Sequence, residues 1–163
     1  MNKLPKRKRT RLKEYDYSKY GFYFVTICIK NRREFFSRVV NSNIVLSKYG
    51  LIVDQILKTL SDFYSVEIDY YVIMPDHLHL ILILDNGLRG KNHSLSNIIG
   101  KFKSYCTKKI RENLTNPNEF EWQKSFFDRI IRNEKELFQI RKYIDENPLK
   151  WELEKVNPDN LMM

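Results

Sequence analysis

Apolar residues in this chain switch between two periods, and the switches outline its elements. Tyr20 to Ile29 contains GFYFVTICI, β-branched and aromatic on both alternating faces, which predicts a central strand. Asn31 to Ser47 is less regular, and the cluster Asn41-Ser42-Asn43 predicts a turn between two short extended pieces. From Ser47 to about Ser61, Ile52, Val53, Ile56, Leu57 and Leu60 recur at helical spacing with one buried face. Val66 to Met74 is again β-like, Pro75-Asp76 signals a turn, and His77 to Leu84 is a second β run. The short gap predicts that these two strands pair antiparallel. Leu95 to Asn113 predicts a helix with the stripe Leu95, Ile98, Ile99, Phe102, Cys106 and Ile110. Trp122 to Arg132 includes the β-like stretch SFFDRIIR. Asn133, with Glu136 three residues on, reads as the capping box of a last helix that Pro148 stops at Asn147.

The order is therefore β-α-β-β-α-β followed by a helix. It predicts an α+β ferredoxin-like sandwich: a four-stranded antiparallel sheet with two helices on one side, plus a C-terminal helix. A chain of 163 residues, 42% apolar and 13% aromatic, has enough material for one such core. No apolar run approaches the ~20 residues of a membrane helix, and no apolar signal segment follows the basic start. Cys28 and Cys106 stand far apart among apolar neighbours, as small buried hydrophobes do. These features predict a cytoplasmic protein without a membrane partner.

Charge divides the chain further. Residues 1–13 carry seven Lys/Arg and no acid, and Arg89 to Arg111 carry another seven without an acid. Setting those 14 aside from the 29 basic residues leaves 15 against 20 acidic ones, so two basic segments sit on a mildly acidic body. A polyanion touching both would gain by counterion release. The first segment predicts a flexible arm ahead of a single domain over 14–163, or simply a solvated tail.

Two of the three histidines form His77-Leu78-His79. On a strand, positions i and i+2 share a face, so both imidazoles leave the sheet side by side, spaced to share one metal ion. Strand histidines satisfied by hydrogen bonds or solvent fit the bare motif at least as well. Tyr143 and Asn147 lie one helical turn apart beside the stripe of Leu137, Ile140 and Ile144. They offer a phenolic nucleophile and an oxygen ligand. Tyr143 is nonetheless one of ten tyrosines, and composition alone favours reading it as an amphipathic helix-edge residue.

Three segments in order single out a family. YYVIMPDHLHLIL, LSNIIGKFKSY and WQKSFFDRIIRNEKELFQIRKYIDENPLKW resemble the REP-associated tyrosine transposases, which are HUH single-strand DNA endonucleases with one catalytic tyrosine. GFYFVTICIKNRREFF resembles that family's first strand, and the likeness runs from about Tyr20 to Trp151. The resemblance implies a metal-dependent endonuclease and strand transferase that cuts single-stranded DNA near hairpins. It implies His77, His79 and Asn147 as ligands of Mg²⁺ or Mn²⁺, and Tyr143 as the nucleophile that forms a 5′-phosphotyrosine. It is compatible with a monomer or a homodimer. Many relatives carry His in the segment FFDRIIR, where this chain has Arg129. Arginine can bind phosphate but cannot act as a base near neutral pH. A hairpin-binding protein or repressor that has lost catalysis on the same fold is therefore the alternative. A two-histidine phosphoesterase would need two His-x-Ser/Thr motifs, and the chain has none.

Candidate phosphate contacts are Lys101, Lys103, Lys108, Lys109 and Arg111 on the basic helix. Arg7, Lys8 and Arg9 in the arm could reach a hairpin groove.

Overall fold

The computed structural model describes residues 20–85 and 93–156. Strands β1 (Gly21–Cys28), β4 (Val66–Ile73), β5 (His77–Leu84) and β6 (Phe127–Ile131) form one antiparallel sheet in the order β4-β5-β1-β6. A separate hairpin pairs β2 (Ser37–Val40) with β3 (Asn43–Leu46). Its two-residue turn uses Asn41 and Ser42 at φ 50° and 63°, the left-handed pair that a tight right-twisted hairpin requires. Two helices, α1 (Lys48–Phe63) and α2 (Leu95–Glu112), follow β3 and β5, and α3 (Glu134–Val156) ends the described chain. The sheet elements alternate in the expected order, so the ferredoxin-like sandwich holds.

Alternation on the strands builds two unequal cores. Tyr23, Val25 and Ile27 of β1 and Leu78, Leu80 and Leu82 of β5 pack against the predicted stripes of α1 and α2. The opposite face is covered by α3, where Ile81 and Ile131 of the sheet meet Ile140 and Ile144. Strand β5 is buried along nearly its whole length on both faces because it lies between β4 and β1 under all three helices. Serines cap α1 and α2: Ser47 Oγ accepts from the Gly50 amide at 3.1 Å and Ser94 Oγ from the Asn97 amide at 3.2 Å.

The start of α3 departs slightly from a standard capping box. Asn133 Oδ1 accepts from the Glu136 amide at 2.9 Å, but the Glu136 carboxylate reaches past Asn133 to the Arg132 amide at 3.0 Å. The end of α3 corrects the sequence reading. The helix does not stop at Asn147 but runs through Pro148 to Val156. A proline inside a helix costs ~3 kcal/mol, and contacts beyond it offset that cost. The Glu152 carboxylate accepts from the Ser42 amide at 2.8 Å and its hydroxyl at 3.0 Å, Lys155 pairs with Glu34, and Trp151 packs toward His77. Among the described residues, no helix is long and apolar enough to cross a membrane.

Two glycines on helices should respond oppositely to alanine. A Cβ at Gly50 would lie 2.0 Å from the Phe36 carbonyl oxygen, whereas one at Gly100 meets nothing within 4 Å. Gly100→Ala should stabilise by ~0.5–1 kcal/mol through helix propensity. Gly50→Ala should destabilise by ~1–3 kcal/mol despite the same propensity gain. Urea unfolding of the two variants checks this; equal shifts of the same sign would show that the α1 contact is not tight.

Candidate active site

Strand β5 directs His77 and His79 to the face that α3 covers, opposite Leu78 and Leu80. Both imidazoles are only 6% exposed, and their Nε2 atoms stand 3.0 Å apart. His77 Nδ1 lies 2.6 Å from Asp76 Oδ1. An ionised carboxylate can only accept, so Nδ1 carries the proton and the His77 Nε2 lone pair points at His79. His79 Nδ1 lies 2.8 Å from Thr26 Oγ1. A hydroxyl both donates and accepts, so Thr26 serves either His79 tautomer. It can leave a proton on Nε2 to bridge the two rings, or leave both Nε2 lone pairs free for a cation.

Burial is the main reason that His79 titrates low, at about 3, with the neighbouring His77 and Arg32 adding to it. The ring is neutral near pH 7, the form that ligates metals. Burial opposes the charge on Asp76, but the His77 and Arg32 contacts outweigh it and hold its carboxyl below the ordinary range. Arg32 Nε donates to Asp76 Oδ2 at 2.9 Å, and its Nη1 donates to Cys28 Sγ at 2.9 Å. Burial raises the Cys28 thiol, so the sulfur stays protonated and acts as a weak acceptor for Arg32. Asn31 and Arg32 occupy left-handed backbone at φ 60° and 53°, uncommon for side-chain-bearing residues. The Ile29 amide donates to the Asp76 carbonyl at 3.0 Å, and the Phe35 and Phe36 amides both donate to the Pro75 carbonyl, so this irregular segment grips the turn that carries Asp76.

The helix supplies the other half of the site. The Tyr143 ring centroid lies 5.3 Å from that of His79, and the Trp151 ring lies 6.2 Å from that of His77. Asn147 is one helical turn from each along α3 and is buried. Tyr143 remains 41% exposed and packs edge-on against Phe24, which in turn stacks on His79 at 5.4 Å. The Lys150 ammonium lies 5.8 Å from the centre of the Tyr143 ring.

A divalent cation suits this donor set. Two nitrogens each ~2.1 Å from a metal at a right angle would sit about 3.0 Å apart, and the Nε2 separation matches. Among the described residues no group of three His, Cys, Asp or Glu gathers; the candidate donors are the two imidazoles, with the buried Asn147 on the helix above this face.

The remaining candidates divide. Arg129 is on the histidine face, because it pairs in register with Phe24, and it contacts Glu136 at 3.6 Å. Helix α2 lies across the sheet from the histidines. Its Lys103 Nζ donates to the Gln123 carbonyl at 2.6 Å and the Arg111 guanidinium to the Phe120 carbonyl at 3.0 Å, so both secure the loop before β6. Lys101 and Lys109 line a groove between α1 and α2, and Lys108 is exposed. Arg7, Lys8 and Arg9 lie outside the described residues, as does the basic arm.

Sequence reasoning missed Thr26, Arg32, Asp76 and Trp151. Asp76 directly precedes His77, and that adjacency was its only signal. Trp151 is two helical turns beyond Tyr143, a relation hidden by ending the helix at Pro148.

Known proteins share this arrangement of chain. A family model described as transposase IS200-like matches residues 18–147. The chain is 34% identical over 172 residues to an uncharacterized protein of Haemophilus influenzae, covering 94% of each. It is 29% identical over 134 residues to a REP-associated tyrosine transposase of Escherichia coli K12, covering 82% of this chain and 70% of that one. A solved REP-associated tyrosine transposase bound to a REP hairpin aligns with a TM-score of 0.64 and 25% identity, over 86% of this chain and 73% of that one. A putative transposase from Deinococcus radiodurans, at 18% identity and a TM-score of 0.53 over 85% and 96% of the two chains, shares the fold. With one family model spanning both the histidine strand and the tyrosine of α3, this chain belongs to the IS200-like transposases and groups with their REP-associated tyrosine enzymes.

Proposed function

We propose that the protein is a metal-dependent endonuclease and strand transferase for single-stranded DNA next to hairpins, with Tyr143 as nucleophile. The observation that carries this reading is the seating of the Tyr143 ring against His79, with the buried Asn147 one turn on. The relative solved with a REP hairpin supports the choice of a hairpin partner.

Tyr143 Oη bonds to phosphorus as the bond from phosphorus to the 3′ oxygen breaks. The phenolic proton goes to solvent, which the half-exposed ring meets directly. The departing 3′ oxygen takes up a proton and becomes a free hydroxyl. That hydroxyl, or another, then attacks the 5′-phosphotyrosine and restores the phenol, so the strand is resealed or transferred without external energy. His77, His79 and Asn147 would hold Mg²⁺ or Mn²⁺, which when bound polarises the scissile phosphate and balances its growing charge. Phe24 and His79 fix the plane of the tyrosine ring. Asp76, held by Arg32, keeps the His77 proton on Nδ1 and so keeps Nε2 free. Arg129, on the same face, offers a phosphate contact and no base.

Labelled hairpin oligonucleotides with single-stranded flanks, incubated with Mg²⁺ or Mn²⁺, should give a covalent protein–DNA adduct on denaturing gels. Tyr143→Phe should abolish the adduct and slow cleavage by at least ~10³-fold. Cleavage by that variant at the normal rate contradicts the tyrosine mechanism. Binding without adduct in the unaltered protein favours the impaired, hairpin-binding alternative. Asp76→Asn should weaken Mn²⁺ binding ~10–100-fold by calorimetry and, because the paired carboxylate also stabilises the fold above its lowered pKa, lower the unfolding temperature in chelator at neutral pH. Unaltered Mn²⁺ affinity would show that Asp76 does not orient His77.

A further inference from the structure

The register of the sheet aligns side chains in rows across three strands. One row on the histidine face runs His79, Thr26, Phe127, and the next runs Ile81, Phe24, Arg129. The third row ends on Ile131, which α3 buries with Ile140 and Ile144. Helix α3 leans toward β4, to which Arg141–Asp69 and Tyr70–Asp145 hydrogen bonds tie it. It therefore leaves the start of β6 open on this face. Phe127 is 59% exposed there, and the Arg129 side chain is 62% exposed. Alternate residue Ile130 packs into the other core, so Phe127 does not face α1 and α2.

An exposed phenyl ring thus stands two strands, or ~10 Å, from His79, in the same row as the threonine that contacts that histidine. A guanidinium lies two residues along the strand. An aromatic face beside a cation matches what an unpaired nucleotide offers, a base to stack and a phosphate to neutralise. We propose that Phe127 and Arg129 form a shelf for the unpaired nucleotide beside the cleaved phosphodiester, Phe127 stacking on its base and Arg129 contacting its phosphate. This deepens the reading of the site as a single-strand nuclease and rests on it. In this proposal a strand whose scissile phosphate reaches Tyr143 and the histidines passes over this corner of the sheet, which among the described residues α3 leaves exposed. Stacking tolerates any base, so the shelf adds affinity for single-stranded flank without choosing its sequence.

The test measures binding by fluorescence anisotropy in the Tyr143→Phe background, which keeps the DNA intact. The probes are a labelled hairpin with single-stranded flanks of randomised sequence and the same hairpin without flanks. Phe127→Ala should weaken the flanked probe about tenfold, ~1.4 kcal/mol, and leave the flankless probe unchanged. Phe127→Trp should restore the flanked affinity. Equal affinity of Phe127→Ala for the flanked probe overturns the shelf, as does an equal loss on both probes. A change in sedimentation of the DNA-free Phe127→Ala protein also overturns it, marking this edge as a contact between copies. If the unaltered protein forms adduct and the Tyr143→Phe parent binds the flanked probe while the Phe127 variants bind it equally well, only the shelf fails. If the parent does not bind the flanked hairpin at all, the nuclease reading fails and the shelf with it.

Discussion

Every chemical capacity of this site depends on α3 lying across the face of β5 that carries the two histidines. Strand geometry alone sets the imidazoles side by side, and helix geometry alone sets Tyr143, Asn147 and Trp151 in a line. Neither makes a site until the line is laid over the pair, ring against ring at both ends. Magnitudes say what holds it there. The exposed ion pairs Arg141–Asp69 and Lys155–Glu34 contribute ~0–1 kcal/mol each. Burying Ile140 and Ile144 against Ile81 and Ile131 contributes ~1.5–3 kcal/mol per side chain. Apolar burial therefore holds the helix down, and the polar latches fix its rotation and reach. The small size of this second core, compared with the one under α1 and α2, also makes α3 the layer most easily released from the sheet.

Beneath the helix, a polar chain that runs inward from the exposed Arg32 prepares the histidines. Arg32 holds Asp76, Asp76 holds His77, and Thr26 holds His79. Each link constrains a proton position or a ring plane, and none sits on α3. The sheet side of the site is thus set independently of the helix that brings the tyrosine. Two consecutive left-handed residues, Asn31 and Arg32, are the conformational cost of turning the guanidinium back onto Asp76.

Much of this was legible from periodicity. The stripe on α2 matched its buried residues, that on α1 did so except for the partly buried Ile52, and the alternation in HLHLILIL put both histidines on one face. Tyr143 as candidate nucleophile was not legible in that way, because helical spacing makes it only an edge residue; the family resemblance is what proposes it. Local rules erred at Pro148, where a propensity cost of a few kcal/mol was outweighed by contacts more than a hundred residues away in sequence, such as Glu152 to Ser42. The same kind of distance hid Arg32 and Thr26, whose roles exist only after β1 pairs with β5. The basic helix was correctly found but lies on the other side of the sheet from the histidines, and charge counting along a chain carries no information about sides.

In the proposed reaction one tyrosine of ten, Tyr143, takes up the DNA. Mass-spectrometric mapping of the adduct addresses it most directly. After reaction with flanked hairpin DNA and Mn²⁺, then exhaustive nuclease and trypsin digestion, the residual nucleotide should sit on the peptide from Tyr143 to Lys150, joined through its 5′ phosphate. A nucleotide on any other tyrosine, or one joined through a 3′ phosphate, would contradict the account.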